Sequence, residues 1–162
     1  MGTYAERITV PASVVAPAPT SIPLMTAAAV PVAAVTAWFA TVSQDHGNIQ
    51  AGQTVLIHGG PGGTGMFAVQ FARWRGARAF ATASSGNMEF LRSLGVQEPI
   101  DYRTRQMEEV ARDLDAVIDL VGVEAQTRSF PLLRRGGVLT SIVSPPHSRL
   151  ADPYSLRRGT SD

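Results

Sequence analysis

From residue 54 to residue 143 the chain alternates short apolar runs with segments of helical period. Residues 54–57, 77–83, 98–102, 114–121 and 137–143 read as strands. After the glycine cluster an amphipathic stretch through Phe67, Val69, Gln70, Phe71 and Trp74 reads as a helix, as do the stretches 86–94, 104–113 (a charged one) and 124–133. Strand and helix in strict alternation predict an α/β fold: a doubly wound parallel sheet of Rossmann type, with helices on both faces. Upstream, Tyr4, Glu6, Ile8 and Val10 share one side of a predicted short strand over residues 4–10. Residues 11–23 form a proline-rich extended connector. Thr26 is placed to cap a short helical piece over 27–30, and Pro31 suits the first turn of a helix reaching residue 42. The pattern divides the chain into a strand and connector over 1–23, a dinucleotide-binding domain over 24–146, and a tail over 147–162 rich in Pro, Ser and Arg, with no hydrophobic period, expected to be disordered.

The junction of the first strand with its helix is the most specific feature. Thr54-Val-Leu-Ile-His-Gly-Gly-Pro-Gly-Gly-Thr-Gly-Met66 runs from a strand through a glycine cluster into a helix. Gly60, Gly62 and Gly65 have the G-x-G-x-x-G spacing in the strand–turn–helix context it requires. Such glycines permit a tight turn, close approach of backbone to a pyrophosphate, and close helix–strand packing. The free N–H groups at the helix N-terminus then face the phosphates. A nucleoside-triphosphate loop would end in Gly-Lys-Ser/Thr, but Gly65 is followed by Met66, and all fourteen basic residues are arginine. A plain glycine-rich turn is the competing reading, although four glycines in the six residues from Gly60 to Gly65 exceed what a connection needs.

The second strand ends Ala81-Thr-Ala-Ser-Ser-Gly86, with no acid before Glu89. A site for NAD places an acid there to bind the ribose hydroxyls; Ser84 and Ser85 would instead donate to a 2′-phosphate. NADP(H) is therefore expected over NAD(H), with Arg103 and Arg92 as candidate partner cations. The competing reading makes both serines helix-capping turn residues.

Composition narrows the function further. A net charge of +1, with arginines dispersed, gives no reason to expect nucleic acid. The chain has no cysteine, which excludes disulfides and thiolate zinc sites, and His46, His58 and His147 are scattered, so no metal is expected. No charge occurs between Ala12 and Gln44, but alanine, threonine, Pro23 and Pro31 dilute and break that run. It reads as a buried helix of a soluble cytoplasmic protein, not a membrane span or signal peptide. Ser144, His147 and Asp152 lack a nucleophile turn, and no lysine is available for a Tyr-x-x-x-Lys pair.

These motifs together resemble the medium-chain dehydrogenase/reductase superfamily, in its zinc-independent quinone oxidoreductase branch. The resemblance is carried by Gly2-Thr-Tyr-Ala-Glu-Arg-Ile-Thr-Val-Pro11, Ala27-Ala-Ala-Val-Pro-Val-Ala-Ala-Val-Thr-Ala-Trp38, His58-Gly-Gly-Pro-Gly-Gly-Thr-Gly65, Leu94-Gly, Ile100-Asp-Tyr-Arg103, Leu120-Val-Gly122 and Arg135-Gly-Gly-Val-Leu139. It implies that Thr36 lies near the nicotinamide, that Gly62, Gly63 and Thr64 hold the pyrophosphate, and that Ser84 and Ser85 meet the 2′-phosphate. Tyr102 would pack beside the adenosine phosphate, with a plain aromatic anchor as the competing role. Val121, Gly122, Val143 and Ser144 would line the nicotinamide side. Many relatives carry a lysine near the position of Asn87. The implied reaction is hydride transfer to a small quinone or enone. Relatives run to roughly twice this length, with a catalytic domain that the chain mostly lacks. A nucleotide-binding or interaction module without turnover is therefore the second reading. No catalytic residue is identified, and the exposed edges predict a homo-oligomer or a complementing catalytic-domain chain.

Overall fold

A five-stranded, wholly parallel sheet organises the chain. The computed structural model describes residues 4–145. Its strands are β1 (Thr54–Ile57), β2 (Arg78–Ala83), β3 (Glu98–Asp101), β4 (Leu114–Asp119) and β5 (Leu133–Ser141), in the spatial order β3-β2-β1-β4-β5. The order reverses between β1 and β4, the switch point at which such sheets bind ligands. The predicted parallel α/β architecture is the one observed.

Helices α1 (Leu24–Ala27), α2 (Val30–Thr41), α3 (Gly63–Trp74), α4 (Met88–Ser93) and α5 (Val123–Ser129) complete the main elements. The sheet is buried on both faces, which is why its strands are nearly continuously apolar. Val55, Ile57, Ala79, Ala81, Ala116 and Ile118 pack with Ala68, Val69 and Ala72 of α3 and Leu91 of α4. On the opposite face Leu56, Val117 and Leu139 pack with Met107, Ala111, Phe130 and Leu132. Alanines on β2 and α3 bring helix and sheet close together.

The chain divides between Pro31 and Val32 into two units. In the first, residues 4–10 form no strand, contrary to the sequence pattern; alternation alone supplies no neighbour with which to pair. A 3-10 turn at Ala12–Val14 interrupts the connector, and α1 begins after Pro23, so Thr26 lies inside the helix instead of capping it. In the second unit, the predicted helix over 104–113 is reduced to a 3-10 turn at Met107–Glu109. Met107 and Ala111 are buried, Val110 and Ala111 both bond back to Met107 O, and Asp113 takes φ +51°. Pro131 ends α5 in a further 3-10 turn, Phe130–Leu132.

The segment Leu24–Thr41 is long and apolar enough, by length and composition, to cross a membrane, with mean hydropathy 1.6. Only part of α2 is buried: Ala37, Ala40 and Thr41 face the core, whereas Val32, Val35, Trp38 and Phe39 are exposed. The expectation of a buried helix thus holds for one stripe of α2, because the apolar residues surround the helix instead of lining one side.

Candidate dinucleotide site

β1 delivers the chain into the glycine turn at the switch point. Gly59 makes the reversal with φ +69°, a backbone conformation that strains other residues. Its carbonyl accepts the Gly62 N–H at 3.0 Å, and Gly60 N–H is tied to Thr82 O at 3.1 Å. A Cβ on Gly60 would lie 2.8 Å from Ala81 Cβ and 2.9 Å from Leu91 Cδ2. A Cβ on Gly65 would lie 2.2 Å from Gly59 O. Those two glycines let α3 and the turn close onto β2. Gly62 is exposed at the N-cap, and a Cβ on Gly63 would meet nothing within 4 Å. The first bond of α3 runs from Met66 N–H to Gly62 O. The N–H groups of Gly63, Thr64 and Gly65 are therefore left over at the helix's positive end, suited to a pyrophosphate.

A cleft of about 600 Å³ opens beside this turn, between the ends of β2 and β3 and the β4–α5 connection. Of the predicted residues, Gly62, Ser84, Tyr102 and Val121 line it. Gly60 and Gly65 are buried beneath the turn, and Gly63 and Thr64 sit on α3 outside the lining. Thr36, Gly122, Val143 and Ser144 also fall outside it. Thr36 Oγ1 donates to Val32 O within α2 at 2.7 Å, and Gln126 Nε2 donates to the Ser144 carbonyl at 3.0 Å.

The two serines after β2 differ. Asn87 Nδ2 donates to Ser84 Oγ at 3.2 Å, which leaves the Ser84 proton available to the cleft. Ser85 lies outside the lining and donates to Asp101 Oδ2 at 2.5 Å. That bond, the Arg103 N–H and further polar contacts hold the Asp101 carboxyl below the usual carboxylate range. An acid absent from the end of β2 in the sequence is thus supplied in space by β3, whose Asp101 pairs in register with Ala83. Neither Arg103 nor Arg92 lines the cleft; the Arg103 guanidinium lies 5.8 Å from the Tyr102 ring centroid.

Sequence reasoning missed several cleft residues. His58 is buried at its base, its Nδ1 at 3.2 Å from Thr82 Oγ1 and its Nε2 at 2.8 Å from Ser129 Oγ. Burial pushes its pKa down to about 4, against the raising effect of Asp119. Arg128 lines the cleft and is held by Glu108 through Nε at 2.8 Å and Nη2 at 2.7 Å. Their pairing lowers the Glu108 pKa and raises that of Arg128. Arg105 lines the cleft with its Nη1 2.7 Å from Glu98 Oε1. Behind the β4–α5 connection, the fully buried Asp119 accepts from Val121 N–H (3.0 Å), Gly122 N–H (2.9 Å), Gln126 Nε2 (3.1 Å) and Ser141 Oγ (2.8 Å). No group of three or more His, Asp or Glu side chains able to hold a metal occurs among the described residues.

A parallel sheet in this order, with a glycine turn at its switch point, defines a dinucleotide-binding domain. The family model described as zinc-binding dehydrogenase matches residues 63–157, more than half of the chain. The chain belongs to that family, as a quinone-oxidoreductase-like member of the medium-chain dehydrogenase/reductase superfamily. It is 44% identical over 119 residues to the putative inactive phenolphthiocerol synthesis polyketide synthase type I Pks1 of Mycobacterium tuberculosis, covering 68% of this chain and 7% of that protein. It is 33% identical over 153 residues to 2-methylene-furan-3-one reductase of Solanum lycopersicum, covering 91% of this chain and 38% of that protein. The solved quinone oxidoreductase of Coxiella burnetii matches with TM-score 0.76 and 29% identity, covering 87% of this chain and 47% of that one. The chain thus spans less than half the length of each of these relatives.

Proposed function

We propose that the chain is the NADP(H)-binding domain of a zinc-independent quinone or enone oxidoreductase. The carrying observation is the Gly59–Gly65 turn, whose spare N–H groups stand at the switch point beside the cleft. When bound, the dinucleotide supplies the hydride. The chain's own residues bind and orient it: Gly63, Thr64 and Gly65 by backbone N–H groups, Ser84 by its hydroxyl, and the Val121 region from the β4 side. The ends of β2 and β3 contribute Ser84, Tyr102 and Arg105 to the cleft lining, while the nearby Asp101 stays outside it, bound by Ser85 and the Arg103 N–H, which supports the phosphorylated cofactor. The names of the tomato and Coxiella relatives support a small conjugated carbonyl or quinone as substrate. The absence of cysteine supports chemistry without thiolate zinc and agrees with a soluble, cytoplasmic setting.

A nucleotide-binding module without turnover is favoured by a different observation. Thr36, Val143 and Ser144, which the resemblance assigns to the nicotinamide end, do not line the cleft. Positioning of the reacting atoms carries much of catalysis, so a chain with only the nucleotide end would bind without reacting.

Fluorescence titration with NADPH tests the shared part of both readings. Gly62→Asp is the control, because Asp at a helix N-cap preserves the helix while its charge repels a pyrophosphate. Binding that this substitution abolishes supports the site. NADPH oxidation on adding a quinone then supports the oxidoreductase, and binding without oxidation the module. No binding by the folded chain removes both.

A further inference from the structure

The cations around the cleft are not equivalent. Arg128, on α5, commits three of its five N–H groups: two bonds to Glu108 and one to Gln106 Oε1 at 2.5 Å hold its guanidinium on that side of the cleft. Arg103 and Arg92 do not line the cleft. Arg105 does, and its bond to Glu98 uses one of the five N–H groups of a guanidinium. It follows β3, on the side of the cleft that carries Ser84 and Tyr102. In a sheet of this order the adenosine ribose of a bound dinucleotide sits at the end of β2. Ser84 occupies that end with a proton to donate, and Asn87 beside it adds no charge.

We propose that Arg105 is the specificity-determining cation that recognises a phosphate monoester on that ribose, with Ser84 as its hydrogen-bonding companion and Glu98 as the residue that positions and restrains it. The inference rests on the reading that the cleft binds a dinucleotide. A guanidinium can hold Glu98 with one edge and present a second edge to phosphate oxygens. Glu98 competes with the phosphate for the same cation, so it tempers the preference. Asp101, the other acid nearby, is occupied by Ser85 and the Arg103 N–H.

The test is a pair of titrations, NADPH and NADH, on the wild-type chain and on Arg105→Gln, Arg105→Lys and Glu98→Gln. Arg105→Gln should weaken NADPH by about tenfold, the loss expected of a charged hydrogen bond at a partly exposed site, and leave NADH unchanged. Arg105→Lys should recover part of that loss. Glu98→Gln should tighten NADPH a few-fold without affecting NADH, a gain that misfolding cannot imitate. Wild-type binding of both dinucleotides with an NADPH/NADH ratio that neither Arg105→Gln nor Glu98→Gln moves would overturn the role of Arg105 and leave the cleft reading intact. Equal weakening of both nucleotides by Arg105→Gln would also overturn it. Failure of the folded wild-type chain to bind either would remove the cleft reading and this inference with it.

Discussion

His58 donates to Ser129. The Ser129 hydroxyl gives its own proton to Ala125 O at 2.6 Å, so at 2.8 Å from His58 Nε2 it can only accept. The imidazole therefore carries its proton on Nε2, and Nδ1 accepts from Thr82 Oγ1, which in turn accepts the Gly59 N–H at 3.2 Å. A neutral histidine thus links β1, β2 and α5 to the turn that opens the candidate site. Protonation would demand a second acceptor and a charge in a buried place. With the folded pKa near 4 and the ordinary value at 6.5, the unfolded chain binds the proton first. Stability is then full above pH 6.5 and falls by about 3 kcal/mol as pH drops to 4, below which the loss levels off. Urea denaturation across that range should show this slope, and His58→Gln should remove most of it.

Asp119 holds the β4–α5 connection from within. Its four donors come from Val121, Gly122, Gln126 and Ser141, and Gly122 adopts φ +126° at the end of that turn. Asp119→Ala strands these donors, those of Gly122 and Gln126 in buried surroundings, so it should cost about 3 kcal/mol. Hydrogen exchange at the Val121 and Gly122 amides should accelerate beyond the global effect. Wild-type exchange at both amides in the variant would refute the link between this carboxylate and the loop.

Two glycines of the turn predict opposite outcomes. Gly65→Ala forces a methyl to within 2.2 Å of Gly59 O, where backbone must move, and should destabilise the fold by about 2 kcal/mol or more. Gly63→Ala meets open space and should change stability by no more than about 0.5 kcal/mol. Thermal unfolding of the two variants side by side checks the contrast.

The parallel order and the glycine turn were legible because each is a local pattern: apolar runs of strand length, helical period between them, and glycines at fixed offsets. The cleft's polar residues were not, because they depend on register between distant segments. Asp101 meets Ser85 through the β2–β3 pairing, sixteen residues apart, and Ser129 meets His58 across seventy-one. Arg105 lines the cleft from the connection between β3 and the 3-10 turn that stands in place of the predicted helix over 104–113, a tertiary outcome that period cannot report. The pattern over residues 4–10 failed for the converse reason: alternation was present, and among the described residues no strand pairs with it.

The outer surface of α2 supports a last prediction. Trp38 contacts Phe71 edge-on at 5.5 Å and Trp74 at 5.9 Å, which joins α2 to α3 through aromatic rings that are themselves partly exposed. Around them Val32 is 83% exposed, Phe39 51% and Trp74 66%, with no charged residue anywhere on α2 to discourage contact. A contiguous apolar face of this kind favours association, and a net charge of +1 offers little repulsion between copies. The chain should therefore self-associate at micromolar concentration. Val32→Glu with Phe39→Glu, both at exposed positions, should shift it toward the monomer at little cost in stability. Sedimentation of wild type and double variant over a concentration series checks this. A wild-type chain that stays monomeric throughout would show that this face does not drive association.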